Sequence, residues 1–203
     1  MKKLHLCFDL DGTIINSHRS VQTAINLALD DLGIKRNDVS SIGQSLDELF
    51  VQLKIEDELI LDELKRRFKL NYDDQLCVKV DLYPEVHDTL NELKRRQVKL
   101  TLVTNKRRIP TLKILQHFEM THLFDKILCI DDSNNNSSKI ERLKMLKLGN
   151  GKDFYVGDLG SDLLASVSSG YKFLFASWGY GDLELKHSTS CTLTTFSDIL
   201  GIF

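Results

Sequence analysis

Short apolar runs alternate with helical patterns along most of the chain. The runs Leu4–Leu10, Val98–Val103, Lys126–Ile130, Phe154–Val156 and Tyr171–Ala176 are rich in Val, Ile, Leu and Phe and are bounded by polar or glycine positions. Near-continuous runs of this kind predict strands buried on both faces. Between them the spacing predicts helices over Pro84–Arg96, Ile109–Phe118, Lys139–Leu148 and Asp162–Ser169. Val86, Leu90 and Leu93 recur at i, i+4, i+7, Pro84 suits a first helical turn, and Gly170 suits a helix stop. The alternation predicts an α/β fold built on a doubly wound parallel sheet.

One region breaks the alternation. From Ser20 to about Asp74 the pattern is helical, with no convincing strand. Val21, Ala24, Ile25, Ala28, Leu29 and Leu32 form one apolar stripe before Gly33. Ser45 with Glu48 reads as a capping box that opens a helix through Leu46, Leu49, Phe50 and Leu53. A third pattern carries Leu59, Ile60, Leu64 and Phe68. The expected organisation is a core of residues 1–16 and 80–203 with a small α-helical cap domain at 17–79. An insertion that leaves the chain just beyond the first strand is expected to close over the carboxyl edge of the sheet, where open α/β folds place their ligands.

Composition narrows the classes. The 203 residues are 42% hydrophobic and 28% charged, with 27 basic against 29 acidic side chains and a formal charge of −2. That balance points to neither a nucleic-acid nor a membrane partner. The triplets Lys65-Arg66-Arg67, Lys94-Arg95-Arg96 and Lys106-Arg107-Arg108 are scattered, and the first two read as solvated helix faces. Cys7, Cys77, Cys129 and Cys191 show no metal-ligand spacing, which fits reduced thiols in a cytoplasmic setting. The first apolar run is too short for a signal peptide, and no segment approaches the roughly 20 apolar residues of a spanning helix. No GxxxxGK[ST] phosphate loop occurs.

The chemistry collects at strand ends. In "LHLCFDLDGTIINS" a buried strand runs straight into Asp9 and Asp11. Thr104 and Asn105 end the second strand, Asp131 and Asp132 the third, and Gly157, Asp158 and Asp162 the fourth. A parallel sheet brings those ends to one edge and makes an acidic crater there. Two carboxylates about 4 Å apart repel by ~4 kcal/mol at an effective dielectric of about 20, so such a crater calls for a cation. Oxygen ligands without His or Cys, and with open positions, select Mg²⁺. A single strand-end Asp is most simply a helix cap, and Asp162 is the residue most open to that reading. For Asp9 and Asp11 together, capping explains at most one.

The set resembles the haloacid dehalogenase superfamily. "DLDGT" looks like its first motif, "LVTNK" its second and "GDLGSD" its fourth, and the helical insertion sits where members with a helical cap carry theirs. "SIGQSLDELF", "LYPEVHDTLNEL" and "SWGYG" are similar to its phosphoglycolate-phosphatase branch. The resemblance implies a Mg²⁺-dependent phosphomonoesterase for a small phosphorylated metabolite, acting as a monomer or homodimer. It makes Asp9 the nucleophile that takes up the phosphoryl group, and Asp11 the acid and base. That second acid speaks against halide displacement. The resemblance gives Mg²⁺ to Asp9, the carbonyl of Asp11 and Asp158, with Asp162 assisting. It gives the phosphoryl oxygens to the backbone at Gly12 and to Thr104 and Asn105.

Its third motif requires a lysine, for which Lys139 is chosen. Ser138 and Glu141 form a capping box that sets Lys139 in a first helical turn, where the helix dipole disfavours a cation. Local rules are broken in this way at functional sites. The family's usual proline after that lysine is here Ile140. Lys106 and Arg107 meet an anionic substrate group or remain solvated, Trp178 lines the pocket or plugs the core, and the six histidines read as surface or structural. Alternatives are a phosphomutase of the β-phosphoglucomutase kind, a phosphatase for pyrophosphate or nucleotides, and, in a different class, a phospho-accepting signalling domain.

Overall fold

The computed structural model describes residues 4–35, 50–132, 137–146, 152–181, 185 and 191–202. The Ser45/Glu48 capping box and part of the polar run Ser133–Ser138 lie outside the described residues. By contacts between backbone positions the chain divides into two compact units, Met1–Asn16 with Leu82–Phe203, and Ser17–Asp81.

The first unit holds a six-stranded sheet. Its strands are β1 (His5–Phe8), β4 (Lys99–Val103), β5 (Lys126–Leu128), β6 (Asp153–Gly157), β7 (Lys172–Ala176) and β8 (Thr192–Leu193). They lie in the order β5-β4-β1-β6-β7-β8, with every pairing parallel. From β1 the chain first winds outward to β4 and β5, then returns to the other side of β1 for β6, β7 and β8. This is the doubly wound α/β arrangement, with its topological switch beside β1. Two further strands, β2 (Ile15–Asn16) and β3 (Asp81–Leu82), form a separate two-stranded sheet.

Alternation along the strands sends side chains to two cores. On one face Cys7, Val103, Tyr155, Phe173 and Phe175 pack with Leu143, Leu146 and Ala165 of helices α5 (Lys139–Leu146) and α6 (Gly160–Ser169). On the other, Phe8 stacks on Phe196 at 5.9 Å and meets Phe124 edge-on at 6.5 Å. Helix α3 (Val86–Arg95) buries Val86, Leu90 and Leu93, and α4 (Arg108–His117) buries Ile114 and Leu115.

Helix α3 begins two residues later than its pattern predicts. Glu85 takes a left-handed conformation at φ 65°, and the amide of Val86 donates back to the carbonyl of Tyr83, so Pro84 belongs to the preceding turn. Gly170 ends α6 at φ 71°, a conformation glycine enters without steric cost.

The second unit is helical, with α1 (His18–Asp31) and α2 (Glu58–Asp74) packed together. Helix α1 buries Ala24, Ile25, Ala28 and Leu29, and α2 buries Leu64, Phe68 and Tyr72. Leu59 and Ile60, expected in the apolar stripe, are exposed at 81% and 42%. Asp57 caps the amides of those two residues, so the helix opens there, ahead of the buried i, i+4, i+8 stripe.

Among the described residues no helix is long and apolar enough to cross a membrane. All four cysteines are free.

Candidate active site

The opening sequence runs a strand into charge because β1 ends at the switch point. The amide of Asp9 still donates to the carbonyl of Val156 on β6, at 2.9 Å. Beyond it the chain turns tightly, with the amides of Ile14 and Ile15 both donating to the carbonyl of Leu10. Gly12 makes this turn at φ 77°. A Cβ there would lie 2.0 Å from Oδ2 of Asp158, so the position demands glycine for space as well as for φ.

Three carboxylates meet at this edge. Asp9, Asp158 and Asp162 each offer an oxygen within 4.8 Å of the others, and all three are buried. Asp158 is held by the Tyr180 amide on Oδ2 at 2.7 Å and by the Thr13 hydroxyl on Oδ1 at 3.3 Å. Gly179 and Gly181 pack so closely that a Cβ on either would overlap Asp158. Trp178, in the same loop, donates its indole N–H to the carbonyl of Thr13 and lies beside Tyr83 and Phe196.

Asp162 does two jobs. Its Oδ2 accepts from the amides of Asp158 and Leu159 and caps α6. Its Oδ1 accepts from Nζ of Lys139 at 2.6 Å and from the Tyr155 hydroxyl at 3.3 Å.

Lys139 is the counter-charge. Its Nζ donates to Asp9 Oδ1 at 2.9 Å as well as to Asp162, and the side chain is only 9% exposed. The Ser138/Glu141 capping box forms as its spacing predicts, which places Lys139 at the first residue of α5. The two carboxylates raise its pKa despite burial. Burial pushes Asp9 up to about 7, with Lys139 pulling in the opposite direction. Asp158 is raised well above the usual carboxylate range by burial first and by Asp162 and Asp9 next. Three buried carboxylates facing one ammonium leave negative charge uncompensated. Removal from water makes that costly unless a cation joins them.

The other sequence-predicted residues border this cluster. Asp11 points its carboxylate at Nζ of Lys106, 2.9 Å away. Lys106, whose second reading was a solvated surface cation, is 9% exposed in its side chain and is part of this ion pair. Thr104 is buried, and its hydroxyl oxygen accepts from the Lys106 amide at 3.1 Å, which leaves the hydroxyl hydrogen to donate elsewhere. Asn105 is exposed, with its Oδ1 held at 2.6 Å by Nη2 of Arg142.

Asp131 and Asp132, expected in the crater, are not among the clustered carboxylates. Strand β5 ends at Leu128, and two further residues carry the chain away before Asp131. Asp131 accepts from the Arg108 amide at the start of α4, and Asp132 pairs with the Arg108 side chain and the Cys129 amide. Tyr155 and Arg142 are buried polar contributors that sequence reasoning missed. Tyr155 sits inside an apolar strand, where it reads as core, and Arg142 sits in a helix with Lys144, where it reads as solvated.

Known proteins share this layout. The sequence model of the haloacid dehalogenase-like hydrolase family matches residues 6–176. The phosphoglycolate phosphatase of Aquifex aeolicus (strain VF5) is 29% identical, over 96% of this chain and 94% of its own. The pyrophosphatase PpaX of Bacillus cereus (strain B4264) is 32% identical over the same shares. A crystal structure described as a predicted phosphoglycolate phosphatase from Haemophilus somnus 129pt superposes with a TM-score of 0.86 at 28% identity, covering 100% of this chain and 98% of that one.

Proposed function

The chain belongs to the haloacid dehalogenase-like hydrolase family and is a phosphatase, and on that premise we propose that it is a Mg²⁺-dependent phosphomonoesterase working through an aspartyl-phosphate on Asp9. The observation that carries this reading is the single ammonium of Lys139 bridging Asp9 and Asp162 inside a three-carboxylate cluster. A nucleophilic carboxylate needs its charge offset before a phosphate dianion can approach it. Lys139 and a divalent ion do so together.

The donor set fits magnesium. It is all oxygen, it carries excess negative charge, and the raised pKa values of Asp9 and Asp158 mark sites that gain from a bound cation. Asp9, Asp158 and the carbonyl of Asp11 would hold the ion, with Asp162 assisting by orientation, since one of its oxygens caps α6 and the other takes the Lys139 ammonium. When bound, the ion supplies positive charge opposite the phosphoryl oxygens.

The chain's own residues do the rest. An oxygen of Asp9 attacks phosphorus while the bond to the leaving oxygen breaks, and the carboxyl of Asp11 gives that oxygen its proton. Asp11 then takes a proton from water, whose oxygen attacks phosphorus and breaks the bond to Asp9. Inorganic phosphate leaves, and both aspartates are restored. Lys139, the Thr104 hydroxyl, the Asn105 amide and backbone N–H groups at Gly12 stabilise the oxygens that gain charge. Lys106 holds Asp11 at one place on the rim and stabilises the carboxylate left once its proton is given. The helical unit is assigned the cap's role of choosing the leaving group.

Phosphoglycolate is the first substrate choice. The similarity to PpaX brings in pyrophosphate as a second. Steady-state phosphate release from phosphoglycolate, pyrophosphate, nucleoside monophosphates and sugar phosphates, with and without Mg²⁺, tests the reading. Acid-quenched protein should carry acyl-phosphate on Asp9. Isomerised sugar phosphate without phosphate release would replace hydrolysis by a mutase. An acyl-phosphate that persists for hours would replace it by a signalling switch.

A further inference from the structure

An asparagine side chain has chemically opposite ends: Oδ1 accepts hydrogen bonds and Nδ2 donates them. Which end of Asn105 faces a phosphoryl group decides whether the residue stabilises or repels it. Arg142 makes that choice. A guanidinium only donates, so its 2.6 Å contact with the Asn105 amide is to Oδ1, and Nδ2 is the end left to face outward. Nη1 of the same side chain donates to the carbonyl of Thr104 at 2.6 Å and to that of Leu128 at 3.5 Å. Its Nε reaches the carbonyl of Ser138, one residue before Lys139, at 3.5 Å.

Packing alone does not account for this residue. Arg142 is 1% exposed and is the largest fully buried side chain among the described residues. Its hydrogen bonds go to carbonyl and amide oxygens rather than to a carboxylate. A buried ion without a matched counter-charge is expensive, and a leucine or methionine would fill the space more cheaply. It lies three residues beyond Lys139 on α5, so one turn of helix carries both the ammonium against Asp9 and the guanidinium beneath the 104–105 loop.

We propose that Arg142 is a positioning residue of the phosphoryl site, clamping the Thr104–Asn105 loop to the helix that bears Lys139 and fixing Asn105 with Nδ2 toward the transferring oxygens. This rests on the reading of Asn105 as a phosphoryl donor. Because the donor has to follow oxygens that shift as the phosphoryl group transfers, misalignment weighs most in the transition state, and Arg142 governs kcat more than KM.

A double-mutant cycle on the full chain tests it, with p-nitrophenyl phosphate as the probe under saturating Mg²⁺. Arg142→Met and Arg142→Lys are each combined with Asn105→Ala. Each single variant is expected to lower kcat on the order of 10- to 100-fold with KM little changed. Arg142→Lys, which keeps the charge but has one donor centre for two oxygens, is expected to lie between the parent and Arg142→Met. It also carries the cycle if the Met variant does not fold. The double variants should be no slower than Asn105→Ala alone, since the arginine acts through that amide. Losses that multiply would overturn the positioning role and leave the phosphatase reading standing. A parent-like rate in Arg142→Lys would overturn it too. An unchanged rate in Asn105→Ala would remove the premise itself and the proposal with it.

Discussion

The two ends of β1 and β6 carry buried polar clusters of opposite character. At the amino end His5 is fully buried, with Nδ1 against Asp153 Oδ1 at 3.2 Å and Nε2 against the Thr101 hydroxyl at 2.9 Å. There one imidazole meets one carboxylate and one hydroxyl, Asp153 from the position opposite it on β6 and Thr101 from β4, opposite Cys7. At the carboxyl end three carboxylates meet one ammonium. Both clusters are buried and both are hydrogen-bonded. They differ in charge balance. The first sets a single carboxylate against its partners, whereas the second gathers three around one ammonium, an excess of negative charge that supports the proposed cation site.

The sharpest way to break the comparison is to remove the nucleophile. Asp9→Asn should reduce phosphate release by about four orders of magnitude or more while the protein stays folded. A rate near the parent's would take the chemistry away from this edge. Lys139→Ala should lower kcat on the order of 10²- to 10³-fold, the scale of one lost transition-state donor. It should also destabilise the metal-free protein, because Asp9 and Asp162 lose their shared counter-ion.

The cation prediction is smaller and more specific. Millimolar MgCl₂ should raise the melting temperature of the parent by several degrees, since binding to the native state alone adds stability. Asp158→Asn should abolish that rise. Gly179→Ala, whose Cβ would sit 2.3 Å from the Cβ of Asp158, should shift the Mg²⁺ requirement upward by displacing that carboxylate without replacing it. A melting temperature indifferent to Mg²⁺ in the parent would leave the two clusters alike.

The smallest effect belongs to the amino end. Burial lowers the pKa of His5 from 6.5, reinforced by Lys99 and opposed by Asp153. The unfolded chain therefore binds a proton that the native imidazole resists. The contribution is complete above about pH 6.5 and is lost as pH falls toward the lowered native value. Urea midpoints at pH 5, 6 and 7.5 under saturating Mg²⁺ should show the parent losing this increment relative to His5→Asn, with kcat unchanged by the substitution. Equal pH profiles would show that the imidazole titrates as it does in water.

The sheet and the carboxylates were legible in the sequence because both depend on local signals. Five apolar runs became β1, β4, β5, β6 and β7 with ends moved by at most two residues, and the capping box at Ser138 and Glu141 anticipated where Lys139 would lie. What stayed hidden had no local signal. Strands β2, β3 and β8 are two residues each, too short to show any alternation. The burial of Arg142 and Lys106 depends on oxygens supplied from other strands and turns, and a basic residue near others of its kind carries no mark of that. Asp131 and Asp132 misled for the converse reason. Strand-end aspartates look alike until the length of the strand is known.

The place of β1 in the sheet has a consequence for how the molecule is made. His5 pairs with Lys99 on one side and Asp153 on the other, so during synthesis β1 waits for neighbours that lie far later in the sequence. Meanwhile an apolar segment with two unpaired edges is open to wrong partners. Each partner strand that docks also delivers a polar residue to the same rim. The proposed catalytic edge is therefore expected to assemble late, with no competent fragment before β6 arrives.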